Sequence, residues 1–260
     1  MLNRRLFLGS LAAGALASDR PITPRQPVRL FNGHNLDGWY TWLRENRYED
    51  PAGVFSVVDG QLKISGTEWG GLATKSSYRD YHLVAEWRWG GPAHGERATK
   101  AGASGILLHA TGRDGAYSGI WLESIECQII EGGCGDFILV GGDAKPAMTA
   151  EVRQGENNQV YWERGGTPLR KNSGRFNWYA RDPNWKDELD FRGANDLENP
   201  VGEWNRSEAI CRGNRITNLV NGKVVNEGYD ASHTEGKIQI QSEGAEIWFR
   251  RIDLMPLGRG

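Results

Sequence analysis

Outside its middle, this chain repeats one pattern: apolar and polar side chains alternate with a period of two, in short runs separated by turn residues. Alternation of that period puts successive side chains on opposite faces of a strand. Val54–Val58 and Leu62–Ile64 flank Asp59-Gly60, and Leu219-Val220 and Val224-Val225 flank Asn221-Gly222. Both are two-residue hairpin turns, because Asp-Gly and Asn-Gly accept the positive φ that such turns need. Further strands are expected at 81–89, 104–110, 124–131, 137–140, 206–212, 214–220, 237–242 and 246–254. Helical periodicity is nearly absent, and 35 glycines supply tight turns. The fold expected is all-β, a jelly roll or sandwich of two antiparallel sheets.

Residues 1–17 read as an export signal: Arg4 and Arg5 precede an apolar run from Leu6 to Leu16, and Ala15-Leu16-Ala17 is a small-residue cleavage pattern. Asn3-Arg4-Arg5-Leu6-Phe7-Leu8 resembles a twin-arginine signal, which implies a periplasmic or extracellular product. No later segment is apolar enough to span a membrane. Residues 18–28 hold three prolines and read as a linker, followed by one domain at 29–257 with a long central insertion at about 141–204. In that insertion Trp162, Trp178, Tyr179 and Trp185 form a cleft wall, or bury themselves in a decorated loop. A net charge of −2 offers no basic excess for a phosphate backbone, so nucleic acid is not an expected partner. Cys127, Cys134 and Cys211 leave open a bridge with one spare thiol, although a small buried side chain is the simpler reading of Cys127.

The strands also sort polar residues. Leu83, Ala85, Trp87 and Trp89 oppose Glu86 and Arg88; Ile125, Cys127 and Ile129 oppose Glu126 and Gln128; Ile238 and Ile240 oppose Gln239, Gln241 and Glu243. Strict alternation puts His109 with Leu107, opposite Ile106 and Leu108. If these strands are neighbours, their second face is a platform that hydrogen-bonds hydroxyls and moves protons; otherwise it is a solvated outer face.

Glu126-Cys127-Gln128-Ile129-Ile130-Glu131 resembles the E-x-D-x-x-E strand of retaining β-glucanases, with Gln in place of the central Asp. Positions 126 and 131 share a face only if a β-bulge intervenes. The resemblance extends further. Leu30-Phe31-Asn32-Gly33-His34-Asn35-Leu36-Asp37-Gly38-Trp39, Ser104–His109, Glu126–Glu131, Gly202-Glu203-Trp204-Asn205, Leu219–Val225 and Gly236–Leu257 together resemble the 3-keto-disaccharide hydrolase domain over residues 29–257.

That resemblance implies a concanavalin A-like jelly roll and cleavage of glycosides already oxidised at C3. The chemistry is coherent. A ketone at C3 acidifies the C2 proton, removal of that proton lets the anomeric substituent leave, and water adds back. One base, one acid and an electrophile are needed. The candidates are His109 and Glu126 as base and acid, with Glu131 as a further carboxylate. Arg88 or a divalent cation would polarise the ketone. Glu86, Gln128, Asn205, Gln241 and Glu243 would hold the substrate, and Trp121 or Trp204 would stack on a sugar. Two other readings stay open, a conventional retaining glycosidase using Glu126 and Glu131, and a non-catalytic carbohydrate-binding module.

Overall fold

The computed structural model describes residues 20–258, so the expected export signal lies outside the described residues. The strands are β1 (Val28–Arg29), β2 (Trp39–Leu43), β3 (Phe55–Val58), β4 (Gln61–Ile64), β5 (Gly70–Thr74), β6 (Tyr81–Ala93), β7 (Ala103–Thr111), β8 (Glu123–Ile130), β9 (Phe137–Val140), β10 (Met148–Gln154), β11 (Val160–Trp162), β12 (Thr167–Lys171), β13 (Gly174–Phe176), β14 (Asn205–Arg212), β15 (Arg215–Val220), β16 (Lys223–Gly228), β17 (Lys237–Ser242) and β18 (Ala245–Pro256). Helical structure among the described residues is limited to two 3-10 turns, Gly95–Arg97 and Glu156–Asn158.

Two large antiparallel sheets form the sandwich. One runs β13-β9-β8-β7-β17-β5-β2; the other runs β16-β15-β14-β6-β18-β4-β3, with β1 added on β18. Their facing sides make the core, in which Ile106, Leu108, Ile125, Cys127, Ile129 and Ile240 meet Leu83, Trp87, Phe249 and Ile252. The Trp87 indole N–H donates to Ser207 Oγ at 2.9 Å, so this fully buried ring leaves no polar atom unpaired.

Both hairpins form where the sequence puts them, with Asp59 and Asn221 at positive φ. The middle is more ordered than its weak alternation suggests. Strands β10, β11 and β12 make a small third sheet and β13 extends the seven-stranded sheet, while 177–204 contains no strand. Strand β5 escapes an alternation test because every one of its residues is buried, and β2 (WYTWL) escapes it because its residues do not alternate between apolar and polar. Residues expected as linker are tied down: Ile22 bridges to Tyr78, and Val28 pairs with Leu254.

One irregularity changes the polar platform. Strand β7 loses register with β8 between Leu108 and Thr111, and β17 loses register with β7 between Lys237 and Gln239. His109 sits in this bulge at φ 52°. The extra residue reverses the strand's parity.

Candidate functional site

The outer face of the seven-stranded sheet, the side away from the core, carries the densest polar chemistry. Register aligns Gln239, Leu107, Glu126, Ile138 and Arg175 in one row, from β17 across β7, β8 and β9 to β13. The next row holds Gln128 opposite Gly105, with Gln241 beside Gly105. Glu126, Gln128, Gln239 and Gln241 are all buried. A methyl group on Gly105 would collide with Glu126 Oε1 and Gln241 Oε1, so the two side chains reach each other only across a bare backbone. Both oxygens are buried without a hydrogen-bond partner. A proton on Glu126 lets its carboxyl donate to Gln241, which removes the conflict.

Electrostatics agree. Burial, followed by the charge of Glu243, pushes the Glu126 carboxyl well above the ordinary range. Burial likewise pushes half-buried Glu243 up to about 7, against the opposing charges of Arg97 and Arg175. Two segments flank these carboxyls. Trp121 packs with Ala73 and Leu107, and Trp185 packs against Ala101, Ala103 and Ile130.

Beside Glu126 lies a cationic shell. Asp136, completely buried, accepts from Arg175 Nη1 at 2.6 Å, from Arg181 Nη1, and from the Trp178 N–H at 2.6 Å. The Arg181 guanidinium lies 4.2 Å from the Trp185 ring centroid. Arg175, Arg181 and Trp185 join Lys171, Gln159 and Asn177 around a cleft of about 370 Å³. The strand-free segment is fastened to β8 and the turn after it. Trp185 Nε1–H donates to the Glu131 carbonyl at 2.7 Å, the Gly132 N–H donates to Glu198 Oε1 at 2.6 Å, and Cys134 Sγ donates to Glu198 Oε2 at 2.9 Å. Arg97 reaches Asp187 at 2.6 Å and the Ala101 carbonyl.

Several sequence expectations need correction. His109 does not face Glu126. The bulge turns it into the interior, where Nδ1 bonds the His233 carbonyl at 2.9 Å and the ring centroid lies 5.4 Å from that of Tyr81. Burial drops its pKa to about 4. The fold holds it neutral, while the unfolded chain binds a proton below about 6.5. Its contribution is therefore intact above 6.5 and lost as pH falls toward 4, by roughly 3 kcal/mol. His109→Asn, which keeps a residue tolerant of positive φ, should flatten this acid limb in urea melts between pH 4 and 7; an unchanged slope would refute the assignment.

Glu131 is likewise not paired with Glu126. Register runs unbroken from Ile125 to Ile130, so no bulge restores parity. The Glu131 carboxylate instead accepts the Gly102 and Asp190 N–H groups at 2.8 and 3.1 Å. Glu131→Gln keeps an acceptor there, so turnover should stay within about twofold, with a stability loss of about 1 kcal/mol. A hundredfold drop in kcat would restore the glucanase pairing.

Glu86, Arg88 and Trp204 lie on the opposite side of the sandwich, because β6 belongs to the other sheet. Glu86 pairs with Arg250 at 2.7 Å, and Arg88 lies over Trp204 and Trp248 at 5.1 and 5.4 Å. Asn205 is a buried loop tie, accepting from the Asn199 N–H and the Asn221 amide. Trp121 donates to the Gly70 carbonyl and stacks with Trp69 and Tyr117, which leaves it a packing residue. Of the insertion aromatics, Trp162 and Trp178 enter the core, while Trp185 borders the cleft. All three cysteines are free and buried. Among the described residues no group of three or more His, Cys, Asp or Glu is arranged to hold a metal ion, and no helix is long and apolar enough to cross a membrane.

Sequence reasoning missed Arg97, Asp136, Arg175 and Arg181. None lies in a run with clean alternation, and Arg97, Asp136 and Arg181 fall in turns or loops.

Comparison with known proteins supplies the remaining observation. The 3-keto-alpha-glucoside-1,2-lyase-like domain matches residues 26–255. Among curated proteins, none matches the chain. In structure the chain is similar to a candidate glycosyl hydrolase from Parabacteroides distasonis, with a TM-score of 0.50, 18% identity, and 90% of this chain and 94% of that one covered. It is also similar to a Bacillus licheniformis β-glucanase, with a TM-score of 0.45, 13% identity, and 88% and 98% covered.

Proposed function

Because the chain belongs to the 3-keto-alpha-glucoside-1,2-lyase-like family, a carbohydrate-active, glycosyl hydrolase-like group, we propose that it cleaves glycosides oxidised at C3, by elimination followed by hydration. The observation that carries this reading is Glu126, buried on the outer sheet face among Gln128, Gln239 and Gln241, with Glu243 just past the end of β17 and acting on its charge, both carboxyls raised by burial.

The two carboxyls divide the work by environment. Glu243, titrating at about 7, is available near neutral pH as the base that takes the C2 proton. The C2–H electrons become an enolate with the C3 ketone. Arg97, the cation acting most strongly on Glu243, stabilises that charge. The enolate electrons then form the C1–C2 double bond as the C1–O bond breaks. Glu126, held protonated, gives its proton to the departing oxygen. In the return half, Glu126 takes a proton from water as that oxygen bonds C1, and Glu243 returns its proton to C2. The net reaction is hydrolysis, and both residues are regenerated. The glutamines fix the sugar hydroxyls.

The test is incubation with the 3-keto and unoxidised forms of one disaccharide, with and without chelator, reading released sugar. Release from the 3-keto form alone supports the proposal. Equal release from the unoxidised form points to conventional hydrolysis, and no release from either points to a binding module. We also propose export through residues 1–17; replacing Arg4 and Arg5 by lysine should leave the product in the cytoplasmic fraction, and unchanged fractionation would exclude the twin-arginine route.

A further inference from the structure

The cleft beside Glu126 carries more positive charge than a neutral sugar needs. Lys171, Arg175 and Arg181 all line it. Asp136 neutralises one charge between the two arginines and lies fully buried beneath them. Lys171 has no carboxylate within ion-pair distance among the described residues; it donates to the Arg175 carbonyl at 2.8 Å and lies over the Phe176 ring. Asp182 also lies near this shell and acts, like Arg181, on Tyr161. Glu126 and Glu243, on whose charge Arg175 acts, do not line the cleft and are both shifted toward their neutral forms. The remaining lining offers Gln159 and Asn177, with Trp185, whose ring already carries the Arg181 guanidinium, at its border. At about 370 Å³ the space lies in the range of small-ligand pockets.

Position matters as well. Arg175 is on β13, two strands from Glu126 on β8. Strand spacing puts that at roughly 10 Å, about one sugar unit beyond the reacting carboxyl.

We propose that this cleft is a subsite for an oxyanion carried on the saccharide, with Lys171 and Arg181 as its recognition charges and Trp185 holding the Arg181 guanidinium in place. The subsite makes the preferred substrate an acidic glycoside whose charged unit adjoins the bond that breaks. This rests on the proposed reaction for its place along the substrate, but not for its binding chemistry.

The experiment therefore reads binding rather than turnover. Calorimetry of the full chain would compare methyl glucuronide, glucose 6-sulfate and methyl glucoside at low and high salt. The charged ligands should bind at least tenfold more tightly than the neutral one and weaken with salt. Lys171→Gln should cost the charged ligands about tenfold, the scale of one charge-assisted contact, while Lys171→Arg retains binding. Thermal melts of both variants identify a folding failure, and Lys171→Arg then carries the comparison with the neutral ligand. Preference for glucuronide over sulfate, or the reverse, assigns the oxyanion. Equal affinity for neutral and charged ligands, or unchanged affinity in folded Lys171→Gln, would overturn the proposal. Salt-dependent binding of the acidic ligands alongside failure to cleave any 3-keto glycoside would leave the subsite standing and remove the reaction.

Discussion

Glu126→Gln should lower kcat by about 10²–10⁴-fold, the usual worth of a general acid, while the protein stays folded. The amide matches the carboxyl in shape and can still meet Gln241 across Gly105, but it has no acidic proton to transfer to the leaving oxygen. That role makes the loss depend on the leaving group. A 3-keto glycoside of an acidic phenol needs little protonation and should recover most of the lost rate, whereas an alkyl glycoside should recover none. An equal loss on both would remove Glu126 from the acid role. Stability should move the other way. The folded carboxyl is shifted up by burial and by Glu243, so the folded state binds the extra proton. Its contribution is favourable below the unfolded pKa and is lost as pH rises. Melting temperatures of wild type and Glu126→Gln should therefore diverge progressively as pH rises above the ordinary glutamate value of about 4.3, with the variant less sensitive to alkali.

Asp136→Ala should cost about 3–5 kcal/mol, the scale for removing one partner of a buried ion pair. For a chain of this size that corresponds to roughly 6–20 °C in Tm. Two guanidinium groups lose their counter-charge, and the Trp178 N–H loses its acceptor. Arg181 also stacks on Trp185, so the damage should reach the strand-free segment. Limited proteolysis should nick the variant within 181–203 before any other region. Asp136→Asn, which keeps an acceptor for the Trp178 N–H, should lose less. A Tm within 3 °C of wild type for Asp136→Ala would show that the arginines find other partners.

Where apolar and polar side chains alternate cleanly along a strand, the sequence sorted the two faces correctly, even though both are buried. Ile125, Cys127 and Ile129 against Glu126 and Gln128 is such a case, as is Ile238 and Ile240 against Gln239 and Gln241. Two kinds of information were hidden. Parity is local, so it cannot say which sheet a strand joins; Glu86 and Arg88 alternate correctly on β6 yet face the far side of the molecule. Parity also fails at an inserted residue, and nothing in Leu108-His109-Ala110 announces a positive φ. Glu131 is the converse, since its pairing with Glu126 required an irregularity that β8 lacks. The arginine shell was unreadable because Asp136 collects its partners from positions 39 and 45 residues downstream, in segments without periodicity.

A side-chain-free strip at Gly105 gives the chemistry of this face an unusual dependence. Polar reach is set by the length of glutamate and glutamine arms, not by the contour of the main chain. Trimming one methylene, as in Gln241→Asn, retracts a single contact without reshaping the surface below it. Variation in which sugar such a protein accepts can thus proceed by shortening or lengthening individual arms, while the scaffold carrying them stays the same.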